Sequence, residues 1–578
     1  GVFDELIRKD VVHWTALIAG YANHGREEEA LSCLKQMQVE GVPPDAITLL
    51  FILKACGNMG DIDQGHEIHA QVIKGGYERD PCLSNALIDM YAKNGFLTDA
   101  QGIFNNLPQQ DAVSWTVLLG GYTENGLNDE ALECAERMRV EGVPLDAVMF
   151  LYCLKACGSL GDIGKGKQIH DDIVNRDMLE HDVVLGSSLV NMYVKCGMLP
   201  KAQKVLEQLP IRNVVSWNTL IAGYAQEGLL TEALNCFEQM QSEGLSPDVV
   251  TFICILKVCG STGAISKGRE IHDEIVGSGL IAKDIILGTA LVDMYAKCGI
   301  LSKAHEVLKE LPVRDVVSWS ALIAGYSQTG QGHEALNCFE DMQNEGFSPD
   351  VVTFICILNA CSSTGAIDKG KAIHQQIVNQ GFLEKDIVLA NALIDMYVKC
   401  GLLIKAEQVL KELPSQDVVS WSALISGYAQ QGQGLQALTC LERMESEGLS
   451  PNLVTFTCVL SACCNSGLLD KAEMLFENMI RKYGVAPNLE HHTCMLVVYA
   501  YSGNFDKAMS IIKVIPSFDY LVAWLALLGA CKKWGNVRLG SLAFDQVMQL
   551  DDSCAAAYVL IANIFAAAGM LDDAERVE

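Results

Sequence analysis

VVSWSALIAGYSQTGQGHEALNCFEDMQNEGFSPD, residues 316–350, decides the fold. Trp319, Leu322, Ile323 and Tyr326 fall on one face at helical spacing, and Ala335, Leu336, Phe339 and Met342 do so again after Gly330. Gly330 suits the left-handed backbone that closes a helix. Ser348-Pro349-Asp350 breaks the second run before another begins. The stretch therefore predicts two helices joined by a tight turn. Nowhere does the chain alternate strictly enough to force a strand.

Its first eleven residues return as VVHWTALIAGY from Val11, AVSWTVLLGGY from Ala112, VVSWNTLIAGY from Val214 and VVSWSALISGY from Val418. Trp14, Trp115, Trp217, Trp319 and Trp421 are spaced 101, 102, 102 and 102 residues apart. Each period holds three related units. After the 35 residues from Val316 come 36 from Val351, VVTFICILNACSSTGAIDKGKAIHQQIVNQGFLEKD, and 31 from Ile387, IVLANALIDMYVKCGLLIKAEQVLKELPSQD. Each unit carries an apolar run, a central Gly, a second amphipathic run and a polar end closing on Asp or Asn. A two-helix unit cannot bury its own apolar face, so the copies must stack into an all-α solenoid. Stacking leaves an extended concave surface lined by the first helix of each unit.

A chain of 578 residues exceeds one ordinary core, as a repeat array would. Half its residues are hydrophobic and only 20% are charged, which excludes a disordered chain. No apolar run approaches the ~20 residues of a membrane-spanning helix. The opening GVFDELIRKD is neither a signal peptide nor an Arg-rich transit peptide; residues 1–10 read as the end of a truncated unit. The 22 cysteines sit inside apolar helical phrases such as FICIL and MYAKCG, so they read as reduced, buried thiols. The net charge of −29 argues at first against nucleic acid, whose phosphates attract Lys and Arg.

The three alternating lengths, the VSWN…LI.GY phrase and the terminal SPD closely resemble pentatricopeptide repeat proteins of the plant PLS class, over the whole chain. On this resemblance residues 11–520 are five P-L-S triplets, or 15 repeats. Residues 521–554, with AWLALLGACKKWGNVRLG, resemble the family's first E motif, and residues 555–578, with YVLIANIFAAAGMLDDA, a truncated second one. The expected fold is a right-handed superhelical solenoid. The resemblance implies single-stranded RNA binding in mitochondria or chloroplasts, one base per repeat, read by the fifth and last residues of each repeat. In that class the last S unit stands a few nucleotides upstream of a cytidine deaminated to uridine.

Elementary chemistry agrees with that division of labour. An ionised Asp only accepts hydrogen bonds, so it suits the ring N–H of U or G, while Asn also donates and suits A or C. In the family, Thr or Ser at the fifth place goes with purines and Asn with pyrimidines. Thr15 with Asp45 then implies G, Asn85 with Asp111 U, Thr116 with Asp146 G, Ser187 with Asn213 A, and Asn218 with Asp248 U. Thr289 with Asp315 and Ser320 with Asp350 each imply G, and Asn391 with Asp417 implies U. Ser422 with Asn452 and Thr457 with Asn488 both imply A. Leu50, Leu151, Ile253 and Ile355 cannot hydrogen-bond a base, so their positions stay open, as does that of Thr493 with Tyr520. The expected target is 5′-GnUGnAUnGGnUAAn-3′. Val215, Val317, Val419 and their counterparts at the second place would sandwich the bases. Lys93, Lys195, Lys297 and Lys399 recur at the thirteenth place of the 31-residue units; the resemblance makes them phosphate contacts, and the helix macrodipole alone also favours Lys there.

Other motifs dissolve into the repeat. GDIGKGKQ (161–168) and GAIDKGKA (365–372) nearly match a phosphate-binding loop, but both lack the Ser or Thr after Lys and the strand before it. His272-Asp273-Glu274 has the H-x-E spacing of zinc deaminases without a following P-C-x-x-C. Cys153 with Cys157, and Cys254 with Cys259, have no His pair at zinc-finger spacing. His170, His272, His374 and the His491-His492 pair read as structural, and the repeated Trp as core. No metal, cofactor or catalytic constellation is expected, and the chain as given is not expected to be an enzyme. The reading is of the recognition part of a C-to-U editing factor, with a deaminase downstream of Glu578 or supplied in trans and accessory editing proteins as further partners. Its rivals are an organellar RNA stability or splicing factor and a helical-repeat protein scaffold. The scaffold is disfavoured by the restricted Thr, Ser, Asn and Asp alphabet at the two variable places of the P and S units.

Overall fold

Each repeat opens with a capped helix. In the unit from Val316, Asp315 takes extended backbone and accepts the Ser318 N–H at 2.8 Å, starting the helix Val316–Gln328. Gly330, at φ 76°, lets the chain turn into Gly332–Asn344. The second helix closes at Asn344 with Gly346 at φ 87°, ahead of Ser348-Pro349-Asp350. The glycine rather than the proline is thus the stop, and the proline carries the chain to the next cap at Asp350. Trp319, Leu322, Ile323, Tyr326, Ala335, Leu336, Phe339 and Met342 are all buried.

The computed structural model describes residues 9–180, 182–281, 284–514 and 520–570. Most of the expected remnant at 1–10, the end of the 555–578 motif and the side chain of Tyr520 lie outside the described residues. Among these there are 33 α-helices, a 3-10 turn at Met178–Glu180 and no strand. The chain divides into two compact units, Gly1–Ala290 and Leu291–Glu578. Within each, a first helix packs on its own second helix and on the first helices before and after it, while the second helix packs on the following first helix. The five repeated tryptophans are at most 2% exposed and fill this core.

Small residues set the approach of neighbouring first helices. A Cβ on Gly427 would lie 2.6 Å from Val398 Cγ1, and one on Gly223 2.7 Å from Val194 Cγ1. GDIGKGKQ is resolved the same way. Gly161, at φ 71°, ends the helix Ala147–Leu160, Asp162 caps Ile163–Asn175, and a Cβ on Gly166 would meet Met192 Sδ at 2.6 Å. All 22 cysteines are free, and burial pushes Cys153 and Cys157 up to about 12, so both stay protonated at neutral pH. His69, His170 and His374 each bring Nδ1 to a tyrosine hydroxyl of the next unit, Tyr91, Tyr193 and Tyr397, at 2.8–2.9 Å. Those histidines are therefore interface groups.

Candidate nucleic-acid interface

The last residue of one unit is the N-cap of the next unit's first helix. Asp45, Asp111, Asp146, Asn213, Asp248, Asp315, Asp350, Asp417, Asn452 and Asn488 each accept, through Oδ1, the backbone N–H three residues on, at 2.8–3.2 Å. Asp and Asn are among the best N-caps, so folding alone accounts for this two-letter alphabet. That corrects one argument from sequence: the restriction at the last place does not by itself disfavour a protein scaffold. What capping leaves open is the choice between Asp and Asn, and the second terminal atom, Oδ2 or Nδ2, which lies outside the cap bond.

The fifth residues come to the same spot. Asn218 Nδ2 donates to Asp248 Oδ1 at 2.9 Å, Asn391 Nδ2 to Asp417 Oδ2 at 3.2 Å, Ser187 Oγ to Asn213 Oδ1 at 3.4 Å, and Ser320 Oγ to Asp350 Oδ1 at 3.5 Å. Elsewhere a threonine at the third place of the following unit links the two. Thr48 Oγ1 stands 2.6 Å from Thr15 Oγ1 and 2.7 Å from Asp45 Oδ1. Thr455 Oγ1 stands 2.8 Å from Ser422 Oγ and 3.0 Å from Asn452 Oδ1. Thr457 reaches the last residue through His491, whose Nε2 is 3.3 Å away and whose Nδ1 bonds Asn488. Asn85 and Thr116 make no described bond to Asp111 or Asp146; Thr116 instead donates to Ala112 O at 2.7 Å, with Met149 where a threonine would stand. Thr289 is half-buried in one compact unit while Asp315 belongs to the other.

These side chains are shielded more than a free surface would require. Asn218, Ser320 and Ser422 are 7%, 5% and 6% exposed, and the other fifth residues are half-buried. Asn85 Oδ1 and Asn391 Oδ1 are buried without a hydrogen-bond partner, a state that costs about 1–3 kcal/mol each. Burial opposes ionisation of Asp248. The bonds from the Thr251 N–H, Asn218 and the Thr251 hydroxyl outweigh it and hold the carboxyl below its ordinary value.

The second place is the opposite. Val215, Val317, Val352, Val419 and Val454 are 56–62% exposed, and the corresponding residues of most other units match them. Fifth, last and second places meet in one cavity of about 400 Å³, lined by Ser422, Asn452, Val419 and Val454 together with Asp395 and Lys399. Lys399 thus lies beside a fifth residue. Its ammonium pairs with Asp395 at 2.7 Å, as Lys93 does with Asp89 at 2.8 Å and Lys297 with Asp293 at 2.7 Å. Lys195 has Asn191 in that place. The aligned lysines are therefore largely matched by carboxylates one turn earlier, in exposed pairs worth ~0–1 kcal/mol that an anion can displace.

Residues 9–58, 212–261, 314–363 and 416–465 match the PPR repeat family, and 83–110, 113–143, 187–214, 289–316, 388–418 and 454–483 match the PPR repeat. One pentatricopeptide repeat-containing protein of Arabidopsis thaliana is 36% identical over 579 residues, 100% of this chain and 69% of its own length. A second is 32% identical over 582 residues, 100% of this chain and 86% of its own length. The chain belongs to the pentatricopeptide repeat family. Another such Arabidopsis protein, named as mitochondrial, is 34% identical over 100% of this chain and 56% of its own length. Others are named as chloroplastic. The maize pentatricopeptide repeat protein PPR10 has the same fold, with TM-score 0.66 at 21% identity over 99% of this chain and 88% of that one. PPR10 in complex with an 18-nt psaJ RNA element aligns at TM-score 0.65 and 18% identity, over 99% and 84%.

Sequence reasoning missed two partners in these pentatricopeptide repeats. Thr48, Thr251, Thr353 and Thr455 are fully buried and bond both variable residues. Their signal was present as the recurring third-place Thr, but helical spacing reads it as core. His491 is likewise buried and joins a capping box with Asn488, a role that the structural reading of the His491-His492 pair did not specify. Among the described residues no helix is long and apolar enough to cross a membrane, and no group of three or more His, Cys, Asp or Glu is placed to hold a metal ion.

Proposed function

We propose that this chain binds single-stranded RNA in a plant organelle, one base per repeat, as the recognition part of a C-to-U editing factor with the target 5′-GnUGnAUnGGnUAAn-3′. The reading takes residues 11–520 as five P-L-S triplets and 521–578 as E-type motifs. The observation that carries it is the cavity at Ser422, Asn452, Val419 and Val454. A fifth residue, a last residue and two exposed aliphatic second residues there face one space of about 400 Å³. Apolar side chains contact a base face without regard to sequence, while the two polar residues reach its edge. The unpaired Asn85 and Asn391 oxygens support the same reading, since a bound donor would remove their cost. The names of the mitochondrial and chloroplastic relatives support the compartment.

Electrophoretic mobility shift with the expected RNA and a scrambled one of equal composition tests the proposal. Tight binding of the first alone is the expected result. Equal binding of both would leave only a helical scaffold.

A further inference from the structure

The row of first helices continues past the decoded repeats. The helix Tyr520–Trp534 packs beside Leu489–Tyr501, and Leu496, Ala500, Leu527, Leu528 and Cys531 share one buried cluster. At the thirteenth place, where the four 31-residue units carry Lys, the 32-residue unit 489–520 carries Tyr501. The cation comes instead from the next helix. Lys533 Nζ lies 5.5 Å from the Tyr501 ring centre and 5.5 Å from that of Trp534, and donates to Tyr501 O at 3.2 Å. Trp534 Nε1 donates to the same carbonyl at 3.2 Å. Four residues before Lys533, where Lys93, Lys297 and Lys399 have their Asp, stands Gly529. The ammonium therefore rests on a carbonyl and two π faces rather than on a carboxylate.

Tyr501 is 40% exposed and Trp534 52%, while the other six tryptophans are buried. A cavity of about 410 Å³ opens at this corner, lined in part by Asn465, Val497, Val498, Tyr501, Ser502 and Lys533. It matches the cavity at Ser422 in size, and both include the ninth and thirteenth residues of a short third unit, Asp395 and Lys399 in one, Val497 and Tyr501 in the other; this one lies at the C-terminal ends of three successive first helices and holds no second, fifth or last residue. Exposed aromatic faces beside an ammonium without a carboxylate supply base stacking and phosphate contact together.

We infer that this corner holds one further nucleotide of the RNA strand, 3′ of the fifteenth and last nucleotide of the expected target, with its base stacked on Tyr501 and Trp534 and its phosphate on Lys533. The site is sequence-tolerant, because every base has a π face. The inference rests on the RNA reading above. It is tested on the full chain with two RNAs: the expected target, and the same target extended at its 3′ end by a short oligouridine tail. The extended RNA is expected to bind about tenfold tighter and to quench the fluorescence of Trp534, the one exposed tryptophan. Lys533→Gln and Trp534→Ala, each checked for unchanged helicity, should remove that gain and leave affinity for the unextended RNA intact. Equal affinity for the two RNAs, or a gain that survives both substitutions, overturns the inference while the RNA reading stands. Failure of both RNAs to bind overturns the two together.

Discussion

Asn218 holds its amide between two neighbours: Nδ2 on Asp248 Oδ1 at 2.9 Å and Oδ1 2.6 Å from the Thr251 hydroxyl. That arrangement fixes which way the amide points and keeps Asp248 an ionised acceptor. At Thr15 the same junction is built with a threonine, whose hydroxyl meets Thr48 Oγ1 at 2.6 Å while Thr48 bonds Asp45. Asn218→Thr should therefore adopt an arrangement the chain already uses, with little change in stability. On the RNA reading it moves preference at the seventh base from U to G by ~1–3 kcal/mol, measured by competition between the two RNAs. Unchanged preference with intact binding would refute the assignment of the fifth residue. The chemistry of these positions was legible in the sequence because a repeat exposes which letters vary. Their burial and the linking threonines were not, since they arise only when one unit's fifth residue packs under the next unit's cap.

Helical hairpins were legible almost to the residue, because Asp or Asn, a central Gly and two amphipathic runs recur with fixed spacing. Only the stop of the second helix was misplaced, with Gly346 taking the role given to Pro349. The close packing of neighbouring first helices has its own signature in the AGY and SGY phrases. Gly427→Ala would set a methyl 2.6 Å from Val398 Cγ1 and 2.7 Å from Leu403 Cδ2, so it should cost about 1–3 kcal/mol, read as a lowered midpoint in urea. The second-to-third unit interfaces carry a different liability. Burial lowers the pKa of His69, His170 and His374, each bonded to a tyrosine hydroxyl. A histidine that holds its proton less tightly when folded favours the folded state fully above its unfolded pKa of about 6.5, and that contribution is lost as pH falls below it. Replacing all three by Gln should flatten the fall in urea midpoint between about pH 7 and pH 5 relative to the parent protein. A parallel fall in both proteins would remove the histidines from the explanation.

Over the whole chain the net charge is −29, yet the proposed ligand is a polyanion. The paired lysines decide how this resolves. If the four thirteenth-place lysines all reach phosphate, single-strand counterion release limits the slope of log K against log salt to about −3. Pairing of Lys93, Lys297 and Lys399 with Asp should make the measured slope shallower still. A much steeper slope would mean that RNA follows a basic path outside this row. With the shallow slope expected here, affinity comes mostly from bases, and specificity with it. The end cap adds a last consequence. Asp and Asn start a helix equally well, so a codon change of one base can exchange them at a junction without disturbing the stack. On the RNA reading, a lineage of such proteins can drift to new transcripts while every intermediate still folds, which keeps the search for targets open at almost no structural risk.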